Sequence, residues 1–277
     1  MIETTKYSVL LPVYISDNAE WFRVAIESMK NQTLPPDEIV IAVDGSVAKE
    51  IDEVISEYEV DKNLFSIYRY KINEGLGSTL RKTVPLCRNE YIARMDADDY
   101  SLPERCEMQI NFLNNHPDIG VVGSHVSEFF NGIDNIVSIR KVPSDHDEIV
   151  KFAKRRSPIN HPTIVFRKTD ILRVGNYSDL IVAQDYELIV RMIQGGIKLH
   201  NINISLMKMR IDKHMYKRRG GRMRIKAMYY VQKGFIQNGF YSSKMEFYIG
   251  FVPYLFAYLL PGGVRKFIWN RLLRTSA

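Results

Sequence analysis

Apolar and polar positions follow one another in a repeating order along the first hundred residues. YSVLLPVY (7–14) is short and almost wholly aliphatic, as a strand buried on both faces requires. Asp17 offers a cap to a helix whose apolar positions Ala19, Phe22, Ile26 and Met29 recur at helical spacing, and Pro35-Pro36 stop it. EIVIAVDGS (38–46) reads as a second buried strand, a helix follows over roughly 47–59, and FSIYRY (65–70) reads as a third strand. NEGLGSTLRKTVP (73–85) is a glycine-rich turn opening a helix, and EYIARMDADD (90–99) is a fourth strand ending in carboxylates. Buried strands alternating with amphipathic helices predict a parallel α/β sheet with right-handed crossovers.

From about residue 103 the pattern changes. A helix (103–115) precedes IGVVGSHVSEFF (119–130) and NHPTIVFRK (160–168). After a turn at Gly175, AQDYELIVRMIQGG (183–196) enters another helix. Strand and helix are mixed here, as in an antiparallel extension with a substrate-facing side.

Open parallel sheets bind ligands beyond the carboxyl ends of their strands. The residues at those ends are Val13-Tyr14, Asp44-Gly45, Asn73-Glu74-Gly75 and Asp96/Asp98. Asp96, Asp98 and Asp99 fall within four positions directly after an apolar run. Unpaired carboxylates there repel one another and are costly to desolvate, so a metal ion, an Arg or Lys, or water must share the site. A solvated acidic turn is the plain alternative.

Composition adds an asymmetry. Residues 201–277 hold 15 Lys/Arg against 2 Asp/Glu, whereas the first 200 hold 23 against 30. A mildly acidic globular part is thus followed by a basic region that suits an anionic partner, nucleic acid or a phospholipid surface. The strand-end acids would repel a nucleic-acid backbone, which favours the lipid. Cys87 and Cys106 have no metal-like spacing and fit a reducing compartment. The first residues lack the basic stretch of a signal peptide, and their apolar run ends at Pro12. A cytoplasmic location is the expectation.

YSVLLPVYISD, PPDEIVIAVDGS, NEGLGSTLRK, ARMDADDYSLPERCEMQ and QDYELIVRM, in this order, resemble the family 2 glycosyltransferases of GT-A fold over roughly residues 6–210. RMRIKAMYYVQKGFIQNG and LLPGGVRKFIWNRLLR resemble the bacterial branch that builds exopolysaccharide and O-antigen units. The resemblance implies a Rossmann-like sheet with helices on both faces over 1–212, its nucleotide-binding half being 1–100 and its acceptor half 101–212, and a helical region over 213–277. It also implies inverting transfer from a nucleotide diphosphate sugar, by family habit a UDP-sugar, with Mn²⁺ or Mg²⁺.

By the same resemblance Asp98 is a direct metal ligand and Asp96 lies toward the ribose as the second candidate ligand, while Asp99 orients water or a neighbouring Arg. Asp44 would hold the base, with Pro12, Val13 and Tyr14 lining its pocket. Val43 stands where many relatives carry a further acid. Asn73 and Gly75 belong to the turn near the nucleotide, where a plain structural turn needs glycine equally. Arg81 would reach a phosphate or an Asp, or is a surface charge.

An inverting transfer needs a carboxylate to take the acceptor hydroxyl proton. The family's acidic pair reads Gln184-Asp185 here, so Asp185 takes the role, with an N-cap as its alternative and Glu187 as the fallback. His161, His214 and the cluster Lys217, Arg218 and Arg219 are candidates for the diphosphate or the acceptor, with structural or solvated roles as alternatives. Missing the first acid, a catalytically silent nucleotide-sugar or membrane-binding scaffold is the second reading.

FYIGFVPYLFAYLL (247–260) is uncharged, aromatic-rich and too short for a comfortable span. VRKFIWNRLLR interleaves Arg265, Lys266, Arg271 and Arg274 with apolar residues, as a helix lying in the interface of an anionic membrane does. The alternative packs 247–260 as ordinary core. A polyprenyl-diphosphate-linked acceptor would give such attachment a purpose, at the inner face of the cytoplasmic membrane.

Overall fold

A computed structural model describes residues 5–212 and 222–260, together with Val264. His214, Lys217, Arg218, Arg219 and the basic stretch after residue 264 lie outside the described residues.

The elements run β1 (Tyr7–Tyr14), α1 (Ala19–Lys30), β2 (Glu38–Asp44), α2 (Lys49–Tyr58), β3 (Phe65–Tyr70), α3 (Leu76–Thr83) and β4 (Tyr91–Arg94). Then follow β5 (Tyr100–Ser101), α4 (Arg105–Asn115), β6 (Ile119–Phe129), β7 (Ile136–Arg140), α5 (His146–Ala153), β8 (Val165–Arg167) and α6 (Lys168–Arg173). The last are α7 (Gln184–Gln194), β9 (Lys198–Arg210), α8 (Arg222–Gln237) and α9 (Lys244–Leu259). One sheet takes the order β3-β2-β1-β4-β8-β6-β9-β5, with β7 beside β6. β1 pairs in parallel with both β2 and β4, and β2 with β3, so their carboxyl ends share one edge. β8 runs antiparallel between β4 and β6 and turns the sheet into its mixed half.

The period of two along β1 and β2 explains why these runs read as uninterrupted apolar stretches. Tyr7, Val9, Leu11 and Val13, with Ile39, Ile41 and Val43, face one core with Phe22, Ile26 and Met29 of α1, Ile55 of α2 and Ile110 of α4. Leu10, Val40 and Ala42 face the other core with Leu80 of α3, Ile171 of α6 and Leu188 and Met192 of α7. Each strand is therefore apolar on both sides, whereas β3 at the edge is mostly half-buried.

Two local expectations are corrected. Asn18, not Asp17, caps α1, its Oδ1 accepting from Trp21 N at 3.1 Å. The fourth strand ends at Arg94, so the acids lie in a loop beyond it. A third cluster forms where α8 and α9 meet α7, and Phe247 and Phe251 are buried in it. The other side of α9 is exposed. Among the described residues no helix is long and apolar enough to cross a membrane.

Candidate active site

The acidic loop sits between β4 and β5. β5 pairs with the end of β9, Tyr100 opposite Lys208, and this pairing delivers Arg210 to the acids. Oxygens of Asp96, Asp98 and Asp99 lie within 4.8 Å of one another. Asp99 is turned inward: its Oδ1 accepts from Arg210 N at 2.9 Å, while its buried Oδ2 has no partner. Arg210 Nε donates to the Asp98 carbonyl at 3.0 Å, and its guanidinium lies 4.2 Å from the Trp21 ring centre and 4.6 Å from that of Phe129.

Beneath the loop, Arg94 is buried and donates through Nη2 to Asp96 Oδ1, leaving Nε and Nη1 without partners. Arg105, also buried, donates to the Arg94 carbonyl at 2.7 Å. Arg94 and Arg210 therefore touch the loop, two cations against three carboxylates. Burial and then the Asp96 charge raise the Asp98 carboxyl to about 6. Burial and the neighbouring Asp98 and Asp96 hold Asp99 well above the usual carboxylate range. Asp17 joins the same field: burial, with Asp98 and Asp96 as lesser causes, raises it to about 7 while its Oδ2 accepts from Tyr14 N at 2.9 Å.

These residues fit a divalent metal ion. The set offers only carboxylate oxygens, as Mg²⁺ and Mn²⁺ prefer, one buried acceptor is unsatisfied, and the mutual repulsion is what a cation would relieve. Asp96 and Asp98 are the partly accessible members, whereas Asp99 is committed to Arg210.

At the neighbouring strand ends, Tyr14 and Asp44 are direct partners across β1 and β2. Of the three residues expected to line a base pocket, Pro12 and Val13 are buried and Tyr14 reaches the surface. The carboxylate of Asp44 is occupied by the turn, its two oxygens accepting from Glu74 N and Gly75 N, each at 2.9 Å. Gly45 makes this possible: its φ is +81°, and a Cβ there would stand 2.6 Å from Asn73 N. The Asn73–Gly75 turn is thus locked to the end of β2, and Gly75 opens α3. Gly77 serves packing, because a Cβ there would meet the Ser178 carbonyl at 2.3 Å. Arg81 reaches an aspartate outside the acidic loop, pairing with the exposed Asp179 at 2.9 Å.

Asp185 lies one residue inside α7. The N-cap position is Ala183, in the left-handed region at φ 64°, so the expected alternative of a capping role does not apply. Among the described residues the Asp185 carboxylate makes no hydrogen bond or ion pair. Tyr177 relates it to the acids. Burial raises this hydroxyl first, then the Arg94 charge lowers it and the charges of Asp185 and Asp96 raise it. His161 Nε2 lies 2.9 Å from the Tyr177 hydroxyl, and burial keeps the imidazole neutral. The fallback Glu187 is held by Arg191 at 2.5 and 2.8 Å, and Arg191 in turn donates to the carbonyls of Val174 and Asn176. Glu187 orders the loop before α7.

Arg94, Arg210, Tyr177 and Asp17 were not among the sequence candidates. Arg94 alone carried a visible signal, a charged residue inside the apolar YIARM.

Comparison with known proteins gives the family and the fold type. The model of Glycosyl transferase family 2 matches residues 8–175. The UDP-Gal:alpha-D-GlcNAc-diphosphoundecaprenol beta-1,3-galactosyltransferase of Escherichia coli is 34% identical over 98% of both chains. The amylovoran biosynthesis glycosyltransferase AmsE of Erwinia amylovora is 31% identical over 96% of this chain and 98% of its own. Among solved structures, mannosyltransferase PcManGT from Pyrobaculum calidifontis, in complex with GDP-Man and Mn²⁺, superposes with a TM-score of 0.64 at 13% identity, covering 85% of this chain and 65% of that one. S. aureus TarS gives 0.59 at 16% identity over 83% of this chain and 39% of that one. This chain thus spans less than two thirds of either structure, and the likeness establishes the GT-A type of fold. The chain belongs to glycosyl transferase family 2 and is a glycosyltransferase.

Proposed function

We propose that this glycosyltransferase moves a sugar, with inversion, from a UDP-sugar to a polyprenyl-diphosphate-linked acceptor during surface polysaccharide synthesis. The reaction takes place at the anionic inner face of the cytoplasmic membrane. The observation that carries the reading is the cluster of Asp96, Asp98 and Asp99, whose oxygens lie within 4.8 Å of one another just beyond the carboxyl end of β4. Such an all-carboxylate set suits a cation that clamps a diphosphate, and Asp185, at the start of α7 and unpaired among the described residues, is the acid left to act as base.

Asp96 and Asp98 would hold Mn²⁺ or Mg²⁺, which when bound offsets the charge building on the leaving diphosphate. The chain's own residues do the rest. Asp185 takes the proton of the acceptor hydroxyl as its oxygen bonds to the anomeric carbon and the bond to the diphosphate oxygen breaks. The locked Asn73–Gly75 turn and exposed Tyr14 border the nucleotide, and Arg94 and Arg210 hold the acidic loop in place. The names of relatives support the donor and acceptor: the Escherichia coli relative is named for UDP-Gal and a diphosphoundecaprenol acceptor, and TarS has been solved with UDP and with UDP-GlcNAc.

Calorimetric titration of UDP, GDP and dTDP, each with and without Mn²⁺, tests the clamp. Tight, Mn²⁺-dependent binding of UDP alone supports the reading. Equal binding with and without the ion would remove the metal from it, and selective binding of GDP or dTDP would replace the donor.

A further inference from the structure

Helix α9 has two opposed apolar faces, and the fold uses only one. At 100° per residue, Phe247, Gly250 and Phe251 point to one side of the helix, and all three are buried. That side is docked closely. A Cβ on Gly250 would lie 2.3 Å from the Lys154 carbonyl, Lys154 Nζ donates to Glu246 at 2.6 Å, and the Tyr241 hydroxyl donates to the same Lys154 carbonyl at 3.1 Å. Met245, Tyr248, Ile249, Val252, Phe256 and Leu259 are exposed, Phe256 to 65%. Their positions fall within an arc of about 100° opposite the docked side, along a helix of roughly 24 Å. A soluble surface rarely carries a stripe of this kind.

The charge carried by this part of the sequence selects the occupant. Residues 222–277 contain 9 Lys/Arg and a single acid, Glu246, which is already paired with Lys154. Lys226, Lys233 and Lys244 are exposed on and beside α8, and Tyr229 and Tyr230 of the same helix are exposed with them. Exposed apolar and aromatic side chains in a stretch so poor in acid, with Lys226, Lys233 and Lys244 in no ion pair among the described residues, match an interface of acyl chains and anionic headgroups. A second protein copy would carry the same cations and repel them.

We propose that the outward face of α9 lies in the surface of an anionic bilayer, and that this docked helix anchors the enzyme and sets the height of Asp185 above the lipid. The second half follows from the shared core. Ala183, Tyr186 and Val190 of the α7 region pack in one cluster with Phe235, Phe247 and Phe251. The Tyr186 ring meets Phe235 edge-on at 5.2 Å, and its hydroxyl donates to the Ala153 carbonyl. Asp185, next in the chain, therefore moves with the lipid-facing helix as one body. This use of the anchor rests on the proposed lipid-linked acceptor, whereas the binding does not.

The full-length protein is sedimented with vesicles of phosphatidylglycerol and phosphatidylethanolamine, beside vesicles of phosphatidylcholine. Wild type should partition to the anionic vesicles, and the double variant Ile249→Ser/Phe256→Ser should bind on the order of tenfold more weakly. Its melting temperature should be unchanged, since both side chains are exposed. The variant should also keep wild-type turnover on a short-chain, water-soluble acceptor diphosphate while losing turnover on long-chain acceptor in vesicles. Undiminished vesicle binding by the double variant, or a wild-type dimer in solution that the variant abolishes, would overturn the proposal. Vesicle binding without transfer to either acceptor would instead defeat the proposed reaction and leave the anchor standing.

Discussion

Arg210 and Asp99 meet through the backbone: the N–H of Arg210 donates to Asp99 Oδ1 at 2.9 Å, which frees the guanidinium to lie between Trp21 and Phe129. The side chain then donates to the Asp98 carbonyl at 3.0 Å. One residue at the end of β9 therefore ties the acidic loop to α1 and β6. Arg210→Ala keeps the backbone bond but loses two cation–π contacts and one hydrogen bond, about 2 kcal/mol together. The variant should melt lower and bind UDP with Mn²⁺ at least several-fold more weakly. Arg210→Lys should recover little, because an ammonium cannot stack between two rings as a planar guanidinium does. Full recovery by lysine in calorimetry would reduce Arg210 to a point charge.

Asp44 offers a way to separate holding a turn from touching a ligand. Its two oxygens accept from Glu74 N and Gly75 N, and the amide group of asparagine can replace only one acceptor. Asp44→Asn should therefore cost about 1–3 kcal/mol by leaving a backbone donor facing a donor, and nucleotide affinity should fall with stability. A variant that lost nucleotide affinity at an unchanged melting temperature would mean that Asp44 acts on the base directly.

Asp185 and Glu187 are both acids of the first turn of α7, yet their surroundings assign them different work. Asp185→Asn should lower turnover by at least about a hundredfold with UDP affinity nearly intact, as expected of a missing base. Glu187→Gln should break the pair with Arg191, loosen the loop at Val174–Asn176 and lower the melting temperature while transfer persists. Single-turnover assays on both variants decide between them. The reverse pattern would move the base to Glu187.

The centre of the parallel half was legible because β1 and β2 are buried on both faces, and such strands read as unbroken aliphatic runs whatever their neighbours. Strand β9 gave no such signal. KLHNINISLMKMR has one wet side for much of its length, and its pattern of buried and exposed positions shifts along the strand. With β9 unseen, Arg210 looked like one more charge in a basic run. The strand-end acids were legible as a site, but the role of Asp44 was not. It depends on the left-handed Gly45 bringing Asn73 against the strand end, a contact between residues far apart in sequence. The α1 cap was misplaced by one residue because Asp17 and Asn18 are both good caps, and only the chain geometry sends Asp17 back to Tyr14 N.

That same turn of Asp17 gives the protein a pH dependence whose sign can be worked out. In the unfolded chain its carboxyl titrates near 3.8, and in the fold it rises to about 7. A carboxyl raised on folding contributes stability that is fully present below the unfolded value and is lost as pH rises through the folded one. Wild type should therefore lose stability relative to Asp17→Asn between about pH 5 and 8, by on the order of 3 kcal/mol. The comparison within one pH series cancels the opposite contribution of buried histidines such as His161. Asp98, raised to about 6, adds a second consequence. A divalent cation needs these carboxyls ionised, so its binding should expel protons and strengthen as pH rises through about 6 to 7. Calorimetry of Mn²⁺ with UDP in buffers of different ionisation enthalpy reads that release. Binding enthalpies independent of the buffer would mean that the acids are already charged, with Arg94 and Arg210 neutralising the loop more fully than their contacts indicate.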